Sequence, residues 1–427
     1  MVEIKDFQKY KKFHFVGIGG IGMSALARLL KSKNKIISGS DSSESEIIES
    51  LRKEGINISV GHSENNFGSD IDCVIYTLAI SRDNPEFLKA KKLNLPVFTY
   101  AEMLGQVSRG MKTIAVSGTH GKTTTTAMIN SALREAGLKP NMIVGSLLSE
   151  GKTNFLPGEG TGSEIFLAEA CEYKKSFLNL SPTILVITNI EEDHLDFYKD
   201  LEDIKSAFME MADKVPENGK IICDFQDKNV AEILEKYKSK CINSRDFILS
   251  VPELIVLGEH NVRNAAMALV VAKVLDLDLE KAKIGVANFK GTWRRLEYHG
   301  KNKNGALIYD DYGHHPTEIG ASLAALRQKY PNKKIAIFFQ PHLYSRTKIF
   351  FDDFVKILSK FDKLYLLPIY AAREPNDPTI SSEKIARQIS GAEILNDLSI
   401  ARQKVSEIPD DYIVLTMGAG DVYLILK

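Results

Sequence analysis

The 427-residue chain carries no surplus of either charge, because 55 lysines and arginines stand against 55 aspartates and glutamates. That balance removes the broad field that would draw a protein to nucleic acid or an acidic membrane, so any anion must be held by a local arrangement. Cysteine is sparse. The four present (Cys73, Cys171, Cys223, Cys241) are scattered, form no C-x-x-C pair and have no histidine partner at zinc-ligand spacing. They are expected to be reduced and mostly buried. No stretch approaches about 18 uninterrupted apolar residues, and the opening "MVEIKDFQKYKKFHF" lacks the apolar centre of a leader peptide. A cytoplasmic protein is expected, with no low-complexity segment and no internal sequence repeat.

What the sequence does have is alternation. From residue 13 to about 107, short β-rich runs ("FHFVGI", "KIISGSD", "DCVIYTLAI", "PVFTYAEML") alternate with helical patterns such as "IGMSALARLLKSK" and "SEIIESLRKEG". That order predicts a parallel sheet flanked by helices. "GQVSRGMKT" interrupts it, and a second series follows with "TIAVSG", "IFLAEA", "TILVITNI" and "GKIICDF". A third opens at "GALIYDDYG" and continues through "KIAIFFQPH", "KLYLLPIY" and "YIVLTMGAG". Since a single core rarely grows past roughly 250 to 300 residues, three α/β domains are expected, at 1–107, 108–298 and 299–427.

Two phosphate cradles are legible. In "HFVGIGGIGMSALA", Gly17, Gly19 and Gly22 satisfy G-x-G-x-x-G at a strand-to-helix junction, and Asp41 follows the second strand where a ribose hydroxyl would be met. The motif states only that backbone N–H groups and a helix N-terminus face an anion, and it does not identify the base. Glycines needed only for a tight turn and close packing are the plain alternative. The second cradle, "VSGTHGKTTTT", also follows an apolar strand and precedes a helical stretch. Gly118 and Gly121 let the backbone curl around phosphates, Lys122 reaches the outer phosphates and the Thr123 hydroxyl suits Mg²⁺, with Thr119, His120 and Thr124 completing the loop. Val116 stands where the first glycine of the P-loop pattern belongs. An NAD-dependent oxidoreductase would have no use for this second cradle. An enzyme that energises a nucleotide-linked acid with ATP needs both.

The stretches "GTHGKTTTT", "TNIEEDHLD" and "GEHNVRNAAMA" resemble the Mur ligases of peptidoglycan assembly. "AEACEY", "DDYGHHPTEI" and "FQPHLYSRT" resemble their alanine-adding branch. The resemblance implies a Rossmann-like N-terminal domain for a UDP-sugar, a central P-loop ATP-binding domain and a Rossmann-like C-terminal domain for the amino acid. The reaction it implies is ATP-dependent joining of L-alanine to the lactyl carboxylate of UDP-N-acetylmuramate through an acyl phosphate. ATP and Mg²⁺ (Mn²⁺ as the alternative) are the implied cofactors. The partners are small molecules rather than nucleic acid or membrane, and the chain is expected to be a monomer or weak homodimer. An acyl phosphate would hydrolyse in open solvent, so the two later domains are expected to close during turnover.

By family position, Thr123 and Glu169 hold the metal on the ATP phosphates, and His194 ligates a second metal near the acceptor carboxylate. His260, Asn261 and Asn264 meet the adenine, with Asn261 as a helix N-cap the other reading of that residue. Of the adjacent Arg294 and Arg295, Arg295 is favoured for the ATP phosphates, and the other would be an interdomain hinge charge. Asp311 matches a position near the ATP ribose, whereas Tyr312, His314, His342 and Arg346 match the amino-acid pocket, where Arg346 can clamp a carboxylate with a planar fork. Gly19, Gly20, Ile21 and Gly22 match the pyrophosphate loop, and Asp41 and His62 match positions near the nucleoside. His62 also reads as a turn-stabilising histidine. Two departures stand out. Leu343 sits where some relatives have an arginine, and Met209 aligns with the lysine that sister ligases carbamylate, so no carbamyl-lysine is expected. A muropeptide-recycling ligase, which joins a ready-made tripeptide to the same sugar, is the nearest rival, but its "EADEYD" pattern differs from "EACEYKKSF".

Overall fold

Phe13, Phe15 and Val16 in "KFHFV" are fully buried, as a strand covered on both faces requires. The computed structural model describes residues 7–148, 152–372 and 374–427. The first six residues of the opening segment lie outside the described residues. The chain divides into two compact units: 1–192, 200–252 and 264–288 form unit 1, while 193–199, 253–263 and 289–427 form unit 2.

Unit 1 contains two sheets. The first is all parallel, from β1 (Lys12–Val16), β2 (Ile36–Asp41), β3 (Asn57–Val60), β4 (Cys73–Tyr76) and β5 (Val97–Thr99), in the order β3-β2-β1-β4-β5. Its connections are α1 (Ile21–Ser32), α2 (Glu46–Lys53) and α3 (Pro85–Lys92), and α4 (Tyr100–Arg109) follows. Local chemistry explains where these helices begin. The Ser45 side chain caps α2, Asn84 and Pro85 open α3, and a Thr99/Glu102 capping box opens α4. The strand order turns at β1, and that is where open α/β sheets leave a crevice beyond their carboxyl ends.

The second sheet comprises β6 (Lys112–Ser117), β7 (Asn141–Ile143), β8 (Phe155–Leu156), β9 (Ile165–Glu169), β10 (Ile184–Ile187), β11 (Lys220–Cys223) and β12 (Cys241–Asn243). Its order is β12-β11-β10-β6-β9-β7-β8, parallel except for the β7–β8 pair. Helices α5 (Lys122–Glu135), α6 (Leu201–Asp213), α7 (Lys228–Leu234), α8 (Glu259–Val274) and α9 (Leu279–Ala287) accompany it. Val116 is fully buried in β6, so the position of the missing P-loop glycine is an ordinary strand residue here.

Unit 2 holds a third sheet of β13 (Glu297–Lys301), β14 (Leu307–Asp311), β15 (Lys334–Phe339), β16 (Lys363–Leu366), β17 (Glu393–Ile394) and β18 (Tyr412–Met417), ordered β13-β14-β18-β15-β16-β17. Only β13 is antiparallel to its neighbour. Helices α10 (Pro316–Lys329), α11 (Tyr344–Ile349), α12 (Phe351–Leu358), α13 (Ser382–Ala386) and α14 (Leu398–Glu407) surround it. Ile337, Phe339, Phe354 and Leu415 centre its core.

The α/β class read from the alternation holds throughout. Three smaller expectations change. The cysteines are all free, but only Cys73 and Cys223 are buried, and Cys171 is exposed in the loop after β9. Asn261 is not an N-cap, because α8 already begins at Glu259. The third sheet gains β13, whose short polar sequence "EYHGK" gives no strand signal. The border expected at 298/299 falls inside that strand. No helix among the described residues is long and apolar enough to cross a membrane.

Candidate functional site

The loop between β6 and α5 is shaped by backbone that only glycine adopts easily. Gly118 has φ +134° and Gly121 φ +81°, and a Cβ on Gly118 would collide with Thr188. Two N–H groups hold the loop itself: Thr119 donates to Asn189 O at 3.0 Å and His120 to Asn189 Oδ1 at 2.9 Å. The N-terminus of α5 behind Gly121 has no side-chain cap, which leaves it ready for an anion. Lys122 Nζ donates to Gly118 O (2.6 Å), Thr119 O (3.0 Å) and Glu172 Oε1 (3.0 Å). Burial would pull this lysine's pKa down, but the Glu172 and Glu169 carboxylates push it above its ordinary value, so it stays cationic. Thr123 Oγ1 donates to Glu169 Oε2 at 2.9 Å, and Gly145 N reaches the same oxygen at 2.7 Å. A hydroxyl and a carboxylate oxygen side by side at a P-loop are a hard donor pair that suits a divalent cation. Asn264 adjoins Gly121, within 3.1 Å of where a Cβ would stand, and Thr124 is buried in the first turn of α5.

At the first cradle, Gly17 (φ +83°) turns the chain, and the N–H groups of Gly17 and Ile18 both donate to Ser40 O. Gly20 caps α1 without a side-chain bond, leaving Ile21 and Gly22 in an uncapped first turn. A Cβ on Gly22 would lie 2.8 Å from the Tyr100 ring, so that glycine also serves packing. Gly19 differs from expectation: its N–H donates to Asp41 Oδ2 at 2.8 Å, so in this structure a protein carboxylate takes the bond expected for a pyrophosphate. His62, one residue after the left-handed Gly61, has its Nδ1 against Ser40 Oγ (3.2 Å) and Glu86 Oε1 (2.9 Å).

In unit 2 the sequence-predicted residues gather around Arg346. Its guanidinium is 6% exposed and meets Asp193 Oδ1 through Nη2 (2.9 Å) and Nε (3.3 Å), with His342 Nδ1 3.2 Å from Nη1. Burial alone would raise the pKa of Asp193, but chiefly the Arg346 guanidinium beside it holds it well below the usual carboxylate range. His194 Nε2 lies 3.8 Å from Asp193 Oδ2, on a backbone with φ +55°. This is a loop conformation and not the helix start that a histidine among acidic residues would ordinarily suggest. The His314 ring packs 5.7 Å from Tyr312 and 5.6 Å from His342, which in turn stacks on Tyr370. Burial, with Arg346 adding to it, pushes His314 down to about 3, so it is neutral at physiological pH. Leu343, the departure from relatives, is buried with φ +70° and lines the cleft between Asp193–Asp196 and Ser345–Phe350.

The adjacent arginines separate cleanly. Arg294 is sealed inside unit 2, bonded to Asp310 Oδ2 (2.7 Å), Gly418 O (2.6 Å) and Gly420 O (3.1 Å). Arg295 is partly exposed, over the Tyr312 ring and 3.5 Å from Glu318. Asp311 bonds Leu296 N, Gly313 N and Ser322 Oγ, and burial pushes it up to about 6. His260 is pushed down to about 4, chiefly by burial. Asn261 turns its amide onto Leu257 O at 2.7 Å. Glu172, Asp193 and Tyr370 carry no motif of their own in the sequence. The first two lie inside the stretches "AEACEY" and "TNIEEDHLD" without being singled out there.

Three family models cover most of the chain: the Mur ligase family catalytic domain at residues 12–112, the Mur ligase middle domain at 116–250 and the Mur ligase glutamate ligase domain at 294–420. The chain is 41% identical to a UDP-N-acetylmuramate–L-alanine ligase of Clostridium kluyveri over 98% of its own length and 97% of the relative's. Among solved structures it is similar to the UDP-N-acetylmuramate–alanine ligase of Thermotoga maritima, with TM-score 0.79, 27% identity and 97% of both chains covered. A murein peptide ligase of Psychrobacter arcticus, at TM-score 0.68 and 20% identity over 97% of both chains, shares the fold.

Proposed function

The chain belongs to the Mur ligase family, and from that premise we propose that it joins L-alanine to UDP-N-acetylmuramate at the expense of ATP, releasing ADP and phosphate. The observation that carries this is a pair of glycine-shaped helix N-termini without side-chain caps in one chain, each following a parallel strand, one with a lysine and one without. One suits a fuel nucleotide, the other a nucleotide that serves as the handle of an acid. We divide the labour among domains at 1–107, 108–298 and 299–427 for UDP-sugar, ATP and amino acid.

A carboxylate and an amine do not condense unaided, because oxide is a poor leaving group. Transfer of the γ-phosphoryl group to a carboxylate oxygen gives an acyl phosphate. The alanine nitrogen then attacks the carbonyl carbon, loses a proton, and phosphate departs with the C–O bonding pair. Lys122 and Arg295 offset the negative charge that gathers as phosphate approaches carboxylate. A divalent cation, which we assign as Mg²⁺, would be held by Thr123 and Glu169 and would polarise the transferring phosphoryl group. His194 is assigned to a second cation. Gly118, Thr119, His120, Gly121 and Thr124 frame the ATP phosphates, with His260, Asn261, Asn264 and Asp311 assigned to the nucleoside. Gly19, Gly20, Ile21 and Gly22 frame the UDP pyrophosphate, with Asp41 and His62 by the uridine. Tyr312, His314, His342 and Arg346 receive alanine. The reaction belongs in the cytoplasm and its partners are small molecules.

ADP formation, measured with UDP-N-acetylmuramate against single amino acids and the tripeptide L-alanyl-γ-D-glutamyl-meso-diaminopimelate, tests the reading. ADP is expected only when the sugar nucleotide and L-alanine are both present. Turnover with the tripeptide and not with alanine would make the chain a recycling ligase. Arg346→Ala is expected to raise the KM for alanine about 30-fold while kcat changes less, since a charged two-pronged bond contributes roughly 1.5–3 kcal/mol. An unchanged KM would remove Arg346 from the pocket.

A further inference from the structure

A carboxylate that the reaction does not use lies at the heart of the first sheet. Glu86, in the first turn of α3, is completely buried. It meets His14 Nε2 from β1 (2.7 Å), Ser40 Oγ from β2 (2.8 and 2.9 Å), His62 Nδ1 from the loop after β3 (2.9 Å) and Asn66 Nδ2 (3.0 Å). Burial alone would raise the pKa of this carboxyl, yet the bonds from His14, His62 and Ser40 hold it below the ordinary value. The start of a helix favours the same charge. A buried anion with donors converging from four segments is an acceptor and nothing else.

That has a directional consequence for His62. Its Nδ1 faces an ionised carboxylate and the hydroxyl that also donates to that carboxylate, so the proton of the neutral ring sits on Nδ1. The other nitrogen, Nε2, then carries a lone pair. The ring is 22% exposed, and no hydrogen bond among the described residues involves Nε2. It lies at the ligand edge of the sheet: Gly61 N donates to Asp41 O at 2.8 Å, and Asp41 reaches Gly19 of the glycine loop.

We propose that Glu86 is a positioning residue, which fixes His62 with its proton on Nδ1 so that Nε2 accepts a hydrogen bond from an N–H or O–H donor of the bound uridine nucleoside. This rests on the assignment of the first sheet to the UDP-sugar. Three donors fit the chemistry, the ribose 2′- and 3′-hydroxyls and the uracil N3–H, and each is missing from the corresponding deoxy or methylated analogue.

Full-length protein is titrated calorimetrically with UDP, 2′-deoxy-UDP, 3′-deoxy-UDP and N3-methyl-UDP, and KM values for all three substrates are measured for wild type, E86Q, H62F and the double variant. E86Q and H62F are each expected to weaken UDP binding, and to raise the KM for the UDP-sugar, about ten-fold. The kcat and the KM values for ATP and alanine should stay within about two-fold, and the double variant should be no worse than H62F alone. One analogue should bind wild type about ten-fold more weakly than UDP but bind H62F as well as UDP does, which identifies the donor. Additive losses, a fall in kcat with KM unchanged, or all three analogues matching UDP on wild type would overturn the proposal. Should E86Q not fold, ¹H–¹⁵N histidine spectra of the wild type decide: a His62 proton on Nε2 alone contradicts it. UDP titration needs neither ATP nor alanine, so failure of the ligase reading, seen as no ADP formed, is separable from failure of the His62 contact.

Discussion

Lys122→Ala should lower ADP-forming turnover about a thousand-fold, the scale on which removal of a preorganised charge from a phosphoryl-transfer centre is felt. The same change should also lower stability, and the two effects need separating. Lys122 and Glu172 are paired at 3.0 Å with side chains 13% and 3% exposed. Removing one partner of a buried pair strands the other and costs about 3–5 kcal/mol. The informative variant is therefore Lys122→Met combined with Glu172→Gln, which removes both charges. It should recover most of the melting temperature lost by Lys122→Ala while turnover stays low. Turnover within a few fold of wild type in that double variant would take Lys122 out of phosphate chemistry.

Arg294→Ala and Arg295→Ala, one residue apart, should fail in opposite ways. The Arg294 and Asp310 side chains are 2% and 1% exposed, and the guanidinium also holds the carbonyls of Gly418 and Gly420 across to the end of β18. Its loss leaves the buried Asp310 carboxylate without its counter-charge, about 3–5 kcal/mol, or roughly 10 °C in the melting temperature of a unit this size. Arg295 is partly exposed, over the Tyr312 ring and 3.5 Å from Glu318. Arg295→Ala should melt within about 2 °C of wild type and lose about a hundred-fold in turnover. Calorimetric melts and ADP release on the same preparations check both, and the reverse pattern would exchange the assigned roles.

The cradles were readable in the sequence because their physics is local: a strand, a glycine where only a positive φ closes the turn, and a helix start within ten residues. The Arg294–Arg295 choice was harder. Sequence says that both cannot point inward easily, but the partners that hold Arg294, namely Asp310 and the Gly418 and Gly420 carbonyls, arrive from up to 126 positions away. Strands β7, β8 and β17 have two or three residues each, too few to show alternation. Asn261 read as a cap because asparagine usually is one, whereas the helix starts two residues earlier. Glu86 left no trace at all, since its ring of donors is drawn from residues 14, 40, 62 and 66, none in a recognisable spacing.

The meeting of Arg346 with Asp193 has a bearing on selectivity. If Arg346 receives the amino acid as proposed, the incoming carboxylate finds its anchor already satisfied, so it gains only the excess of its own contact over the one it displaces. Mimics that lack the carboxylate, such as alaninamide, have nothing to trade for the guanidinium and should be turned away far more sharply than their size suggests.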